Sequence, residues 1–130
     1  MSAVTGNVRM ILRVEGLAIF AAATFMYHRL GFAWPTFFWF FLLPDLSLAG
    51  YLLGPRIGAI AYNLAHSYVG AIGLALLGVA TPGSPALIAG LIWLAHIGFD
   101  RALGFGLKYA QGFGHTHLGR IGKLAAEATR

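Results

Sequence analysis

Four long apolar segments follow one another along this chain of 130 residues and constrain its fold more than any other feature. A helix needs about 20 mainly apolar residues to cross the roughly 30 Å hydrocarbon core of a bilayer. Turn-forming residues separate the segments, most clearly the run TPGSP at 81–85. The sequence therefore predicts an all-α integral membrane four-helix bundle with short loops. The predicted spans are Met10–Tyr27, Trp34–Leu53, Ile57–Ala80 and Ala86–Leu103.

Composition supports lipid as the main solvent of this chain. Hydrophobic residues make up 58% of it and charged residues only 10%, whereas soluble domains carry about 25% charged residues. No cysteine is present, which excludes disulfides, iron–sulfur clusters and thiol nucleophiles. The apolar block that follows the first residues has no small-residue cleavage site, so it is interpreted as a first span and not as a removed signal peptide.

Charge predicts the orientation in the membrane. Residues 1–9 are interpreted as a cytoplasmic segment, 10–103 as the bundle, and 104–130 as a Gly-rich basic tail that caps the bundle, lies at the interface or is partly disordered. With four spans, both termini and the central turn share one side, and basic residues favour the cytoplasm. Arg29 alone lies on the other side. The termini are predicted to be cytoplasmic, in the inner (plasma) membrane, and the net charge of +5 is assigned to orientation and not to nucleic-acid binding. The basic residues of the terminal side are Arg9, Arg13, Arg56, Arg101, Lys108, Arg120, Lys123 and Arg130.

Ionisable residues within the spans are gathered at one depth. Such groups are costly in hydrocarbon and usually functional. At about 1.5 Å per residue, each lies roughly 5–13 Å from the predicted cytoplasmic end of its helix. The outer halves of the spans hold no ionisable residue. These residues are Glu15, Asp45, His66, His96 and Asp100.

Spacing predicts that these polar side chains share one pocket. Tyr62, Asn63 and His66 stand at i, i+1 and i+4, and His96 and Asp100 at i and i+4, so each set lies on one helix face. Pro44, inside the second span, predicts a kink or a local opening beside its neighbour Asp45.

Two imidazoles and two carboxylates form a ligand set for Zn²⁺, Fe²⁺ or Mn²⁺. The predicted metal ligands are Asp45, His66, His96 and Asp100, and the predicted catalytic residues are Glu15, Tyr62 and Asn63, with Glu15 as a further ligand or a general base. An ion-pair network is the alternative, in which Asp100 pairs with Arg101 or Arg56. His115 and His117 in the tail are weaker candidates for the same site, and His28 is placed at the outer interface.

The chain resembles a family of small bacterial four-helix membrane proteins of unknown function. The likeness rests on the stretches RVEGLAIF, LLPDLSLAGYLLGPRIGAIAYNLAHSY, LIWLAHIGFDRALGFGLKY and THLGRIG and covers about residues 12–122. It implies a membrane protein and implicates the polar residues above, without an activity.

A weaker likeness is to membrane-bound metal-dependent hydrolases regulated with the bacterial DNA-damage response. It is carried by Leu43-Pro44-Asp45, by His66-Ser67, and by His96 with Asp100. Ser47 stands where that family has a second Asp, and Ala61-Tyr62 where it has His-Arg. The resemblance therefore implies a single-metal or metal-free site and not a two-metal one.

Three hypotheses follow from this pattern. The leading one is a metal-dependent membrane hydrolase acting on a lipid-like or small hydrophobic substrate that enters from the cytoplasmic leaflet. The second is a proton- or small-solute-binding or transport module, which with four spans would form a homo-oligomer. The third is a structural accessory subunit of a larger membrane complex.

Overall fold

A computed structural model describes residues 4–109 and 114–120. The rest of the predicted tail, with the basic residues Lys123 and Arg130, lies outside the described residues. The first span begins earlier than predicted, at Gly6, and the third at Pro55, whereas the second and fourth begin at the predicted residues Trp34 and Ala86. The elements of the described part are α1 (Gly6–Arg29), α2 (Trp34–Phe40), a 3-10 helix (Leu43–Leu53), α3 (Pro55–His66), α4 (Tyr68–Ala80), α5 (Ala86–Leu103), β1 (His115–Thr116) and β2 (Gly119–Arg120).

The helices have the length and surface of a membrane protein. Large apolar side chains cover the outside, and Leu52, Trp39 and Val69 are 89%, 83% and 80% exposed. Water-soluble monomers rarely expose contiguous apolar surface on this scale. The all-α four-helix bundle is thus confirmed, with a minimal antiparallel hairpin in the tail. In the described part, four stretches are long and apolar enough to span a membrane: Gly6–Arg29, Trp34–Leu53, Pro55–Ala80 and Ala86–Leu103.

The second span changes from α-helix to 3-10 helix at Leu43, one residue before Pro44. Proline has no N–H and clashes with the carbonyl of a preceding helical turn, so a regular α-helix is broken there. The N–H of Asp45 donates instead to the Leu42 carbonyl at 3.0 Å. The irregularity beside Asp45 is therefore a change of helix type, in which the hydrogen bond is kept. Because a 3-10 helix rises about 2.0 Å per residue, Asp45 lies about 16 Å from Leu53 and not the roughly 12 Å of α geometry.

The third span is interrupted in the middle, which the sequence did not predict. α3 ends at His66, and Ser67 is extended, with φ −87° and ψ 141°. The Ser67 hydroxyl then accepts a hydrogen bond from the Val69 N–H and caps α4. Because the helix ends at His66, the last carbonyls of α3 need partners from outside the helix.

Glycines bring α1 and α5 into backbone contact. Gly16 and Gly98 face each other, and a Cβ added to Gly98 would lie 2.6 Å from the Gly16 carbonyl oxygen and from the Phe20 nitrogen. Small residues that allow backbones to approach are the usual contact between helices in membranes. This contact fixes the height of α5, and therefore of His96 and Asp100, against α1.

Gly98→Ala is expected to lower the thermal unfolding midpoint in detergent. The added methyl group overpacks the α1–α5 contact, which costs about 1–3 kcal/mol and outweighs the helix propensity gained, up to about 1 kcal/mol. Gly73→Ala is the matched control, since nothing lies within 4 Å of a Cβ at Gly73 in α4. An unchanged or higher midpoint for Gly98→Ala would contradict the close packing.

The tail folds back onto the end of the bundle where the chain begins. Lys108 forms an antiparallel bridge with Thr116, and the N–H of His117 donates to the Leu107 carbonyl at 3.0 Å. The N–H of Val4 donates to the His117 carbonyl at 2.8 Å. This last bond joins the hairpin of the tail to the segment that precedes α1.

Candidate metal centre

Four potential metal ligands converge inside the bundle, from the 3-10 helix, α3 and α5. Nε2 of His66 lies 3.1 Å from Nε2 of His96. Each of these nitrogens lies 3.2 or 3.3 Å from Oδ1 of Asp45 and from Oδ2 of Asp100. The two carboxylate oxygens complete a group whose atoms all lie within 4.8 Å of one another. The four residues that the sequence predicted as ligands are therefore side by side.

These separations fit a small divalent ion. Bonds of about 2.0–2.1 Å place neighbouring ligand atoms about 3.3 Å apart in a tetrahedron, and about 3.0 Å apart at right angles. Calcium, with bonds of about 2.3–2.6 Å and oxygen ligands only, is a poor match. Two imidazoles beside two carboxylates suit Zn²⁺, Fe²⁺ or Mn²⁺.

The tautomer of His66 aims a lone pair at the centre of the group. Nδ1 of His66 lies 2.9 Å from the Tyr62 carbonyl, which can only accept, so Nδ1 carries the proton. In the neutral ring Nε2 is then an acceptor, and it faces two carboxylate oxygens and the His96 nitrogen. A proton on Nε2 can be shared with one neighbour at a time, whereas a cation at the centre satisfies all four atoms together. Histidine ligands of metals are typically oriented by such a bond from the other ring nitrogen.

Side chains of α5 bind the carbonyls that the break after His66 releases. The indole N–H of Trp93 donates to the Ala65 carbonyl, and Nη2 of Arg101 donates to the His66 carbonyl at 3.2 Å. Buried backbone carbonyls in hydrocarbon need such partners. Because Trp93 and Arg101 stand on either side of His96 in α5, the two bonds fix the position of His66 relative to His96.

Aromatic rings enclose the two imidazoles, which are 2% and 1% exposed for His66 and His96. The Tyr62 ring stacks on His66 with centroids 3.7 Å apart, and Phe41 packs edge-on to His96 at 5.3 Å. Within the described part of the chain, Nδ1 of His96 is buried and makes no hydrogen bond of normal geometry. Asp45 is the open side of the group, since 39% of its side chain is exposed.

Lys108 is a member of this region that the sequence did not single out. Asn63 accepts from the Lys108 N–H at 2.7 Å and donates to its carbonyl at 2.8 Å, as a neighbouring strand would. The Lys108 side chain is buried, and its Nζ lies 4.5 Å from the centroid of the Tyr62 ring. Burial lowers the pKa of Lys108 to about 8, although Asp100 and Asp45 oppose the shift. Its position in a Gly-rich tail gave no spacing that could reveal this approach.

Other predicted residues lie outside the four-ligand group. Glu15 is on an exposed face of α1, and His28 is in the last turn of the same helix. Nε2 of His117 lies 3.2 Å from Nη1 of Arg101, so it reaches the group only through that side chain. Burial and the Arg101 charge lower the pKa of His117. His115 pairs with Arg120 in the hairpin.

Residues 9–121 match a family described as a domain of unknown function (DUF4260). The chain belongs to this family. The predicted resemblance to a family of unknown function is thereby confirmed, and the likeness to metal-dependent hydrolases stays a prediction. No curated protein and no solved structure matches the chain. Membership in DUF4260 brings no known activity.

Proposed function

We propose that this DUF4260 protein is a single-metal membrane enzyme of the hydrolase type. Asp45, His66, His96 and Asp100 would hold one divalent transition metal ion. The observation that carries the proposal is the convergence of two imidazole nitrogens and two carboxylate oxygens, five of whose six separations are 3.1–3.3 Å. One divalent ion at the centre would contact all four atoms together, whereas a proton is shared between only two of them.

The chemistry that such an ion supplies is Lewis acidity, which polarises a bound oxygen and lowers the pKa of bound water. His66, His96 and Asp100 stand on regular α-helices and provide the fixed part of the site. Asp45 stands on the 3-10 helix and is partly exposed. Its Oδ2 does not take part in the close separations, and we assign to this oxygen the role of accepting a proton from the attacking water.

An apolar groove supports a lipid-like or small hydrophobic substrate. A cavity of about 520 Å³ lies between the second span, α4 and α5, and its lining includes Phe40, Leu43, Pro44 and Trp93. Pro44 precedes Asp45 directly, and Trp93 stands one helical turn before His96, so two lining residues are chain neighbours of candidate ligands, while the candidate ligands themselves are not part of the lining. Its volume is within the usual range of small-molecule sites, about 300–1,000 Å³. We propose that this groove holds the hydrocarbon part of the substrate.

Elemental mass spectrometry on the detergent-purified protein is the direct test. We expect near-stoichiometric Zn, Fe or Mn in the wild type and its loss in His66→Ala/His96→Ala, because two of four ligands are removed. His28→Ala is the matched control, since His28 is exposed and outside the group. Circular dichroism checks that each variant keeps its helices. A wild type that binds no metal after reconstitution with each of the three ions would overturn the proposal.

A proton- or small-solute-binding module is the second candidate. The observation that favours it is that two buried imidazoles and two carboxylates can share protons at the same separations. It predicts pH-dependent uptake into vesicles and no bound transition metal. Copurification with a larger complex, together with unfolding on loss of Asp100, would instead support the structural accessory role.

Orientation and assembly belong to the same proposal. We place both termini in the cytoplasm and the protein in the inner (plasma) membrane, in line with the basic residues at that end. Glu15 is exposed within a span, where a carboxylate facing lipid is costly. A second copy covering this face of α1 would shield it, which supports a homo-oligomer.

A further inference from the structure

Two basic side chains approach the candidate metal centre. Lys108 is 3% exposed, and its Nζ lies over the ring of Tyr62, which in turn stacks on His66. Arg101 donates to the His66 carbonyl at 3.2 Å. The charges of Asp100 and Asp45 oppose the lowering of the Lys108 pKa by burial, and Arg101 follows Asp100 directly in α5. The two cations and the two carboxylates thus form one electrostatic unit.

The charges of this unit balance before any metal binds. Asp45 and Asp100 contribute −2, Lys108 and Arg101 contribute +2, and their sum is zero. A divalent ion bound by neutral imidazoles would raise the sum to +2. Net charge in the interior of a membrane protein is expensive unless it is paired. The loaded site therefore needs an anion.

We propose that the loaded site binds an oxyanion of the phosphate type between the metal position and Lys108. This inference rests on the proposed function and names its substrate class, a phosphate ester or a related anion. Lysine is a common phosphate ligand because its ammonium group acts as a compact positive charge. The two hydrogen bonds between the Asn63 side chain and the Lys108 backbone hold this cation in place. The partly exposed side of Asp45 leaves an opening for the anion to enter.

The test uses the full chain loaded with Co²⁺ in nanodiscs of phosphatidylcholine, followed by visible absorption of the cobalt. Titration with inorganic phosphate is expected to change the spectrum saturably. Lys108→Met should weaken this binding roughly tenfold or more, because hydrogen bonds to charged groups contribute that much free energy. Lys108→Arg should recover part of it. Arg56→Met is the control, since Arg56 is exposed at the start of α3 and should leave binding unchanged.

A second arm separates a lipid headgroup from free phosphate. Nanodiscs containing phosphatidic acid should give the bound spectrum without added phosphate if the anion belongs to a lipid. A response to inorganic phosphate alone would assign a soluble anion. If cobalt binds but neither anion alters its spectrum, or if Lys108→Met binds like the wild type, the inference is overturned and the metal site stands. If cobalt does not bind, the proposed function fails as well.

Discussion

Zinc should raise the free energy of unfolding of this protein by about 4 kcal/mol when its free concentration is a thousandfold above the dissociation constant. The reason is linkage: an ion that needs ligands from the 3-10 helix, α3 and α5 binds only when these elements are packed together. Iron or manganese should also raise the free energy of unfolding, by an amount that depends on the affinity of each ion for the site. Thermal or denaturant unfolding in detergent, with and without a chelator, measures the difference.

His96→Ala gives the decisive comparison for the zinc effect. This variant keeps three candidate ligands and should lose most of the stabilisation, whereas His28→Ala should retain it. Equal stabilisation of the wild type and His96→Ala would mean that zinc binds elsewhere, for example to His115 or His117 in the tail. That result would contradict the metal centre even if the protein contained metal.

Asn63→Leu should release the start of the tail from α3. The substitution removes both partners of the Lys108 backbone, and an unsatisfied buried N–H or C=O costs about 1–3 kcal/mol. The local opening free energy should therefore fall by about 2–6 kcal/mol, and hydrogen exchange at the Lys108 amide should quicken roughly thirtyfold or more. Lys108 would also lose its place over the Tyr62 ring.

Asn7→Leu is the control for this effect, because Asn7 is exposed on α1. It should leave exchange at Lys108 unchanged. If the Lys108 amide of Asn63→Leu exchanges at the wild-type rate, the two Asn63 hydrogen bonds do not hold the Lys108 backbone. Thr116 and the hairpin would then hold it alone. Metal content should survive in Asn63→Leu, because Asn63 is not among the four ligands.

The spans and the ligand group could be predicted because both depend on rules that act along the sequence. Apolar length determines which segments can cross a membrane. Helical spacing determines that His96 and Asp100 share a face, and equal depth brings them to Asp45 and His66. These rules need no knowledge of tertiary contacts.

The features that the sequence did not predict depend on contacts between elements. No proline marks the break after His66, and its carbonyl is satisfied only because Arg101 of α5 approaches it. Lys108 enters the bundle because Asn63, which is 45 residues away, binds its backbone on both sides. For Glu15, depth alone was not enough. Its depth in the span predicted a place in the pocket, but the rotation of α1 leaves its side chain exposed.

The break at Ser67 also affects which substitutions the third span can tolerate. In an uninterrupted helix, the rotation and height of His66 would be tied to every residue out to Ala80. The extended Ser67 removes that constraint, and α4 packs on α5 through its own close contact, where Gly78 meets Leu87. Substitutions that change the packing of α4 on α5 should therefore leave the rotation of His66 unchanged, because α3 alone sets it.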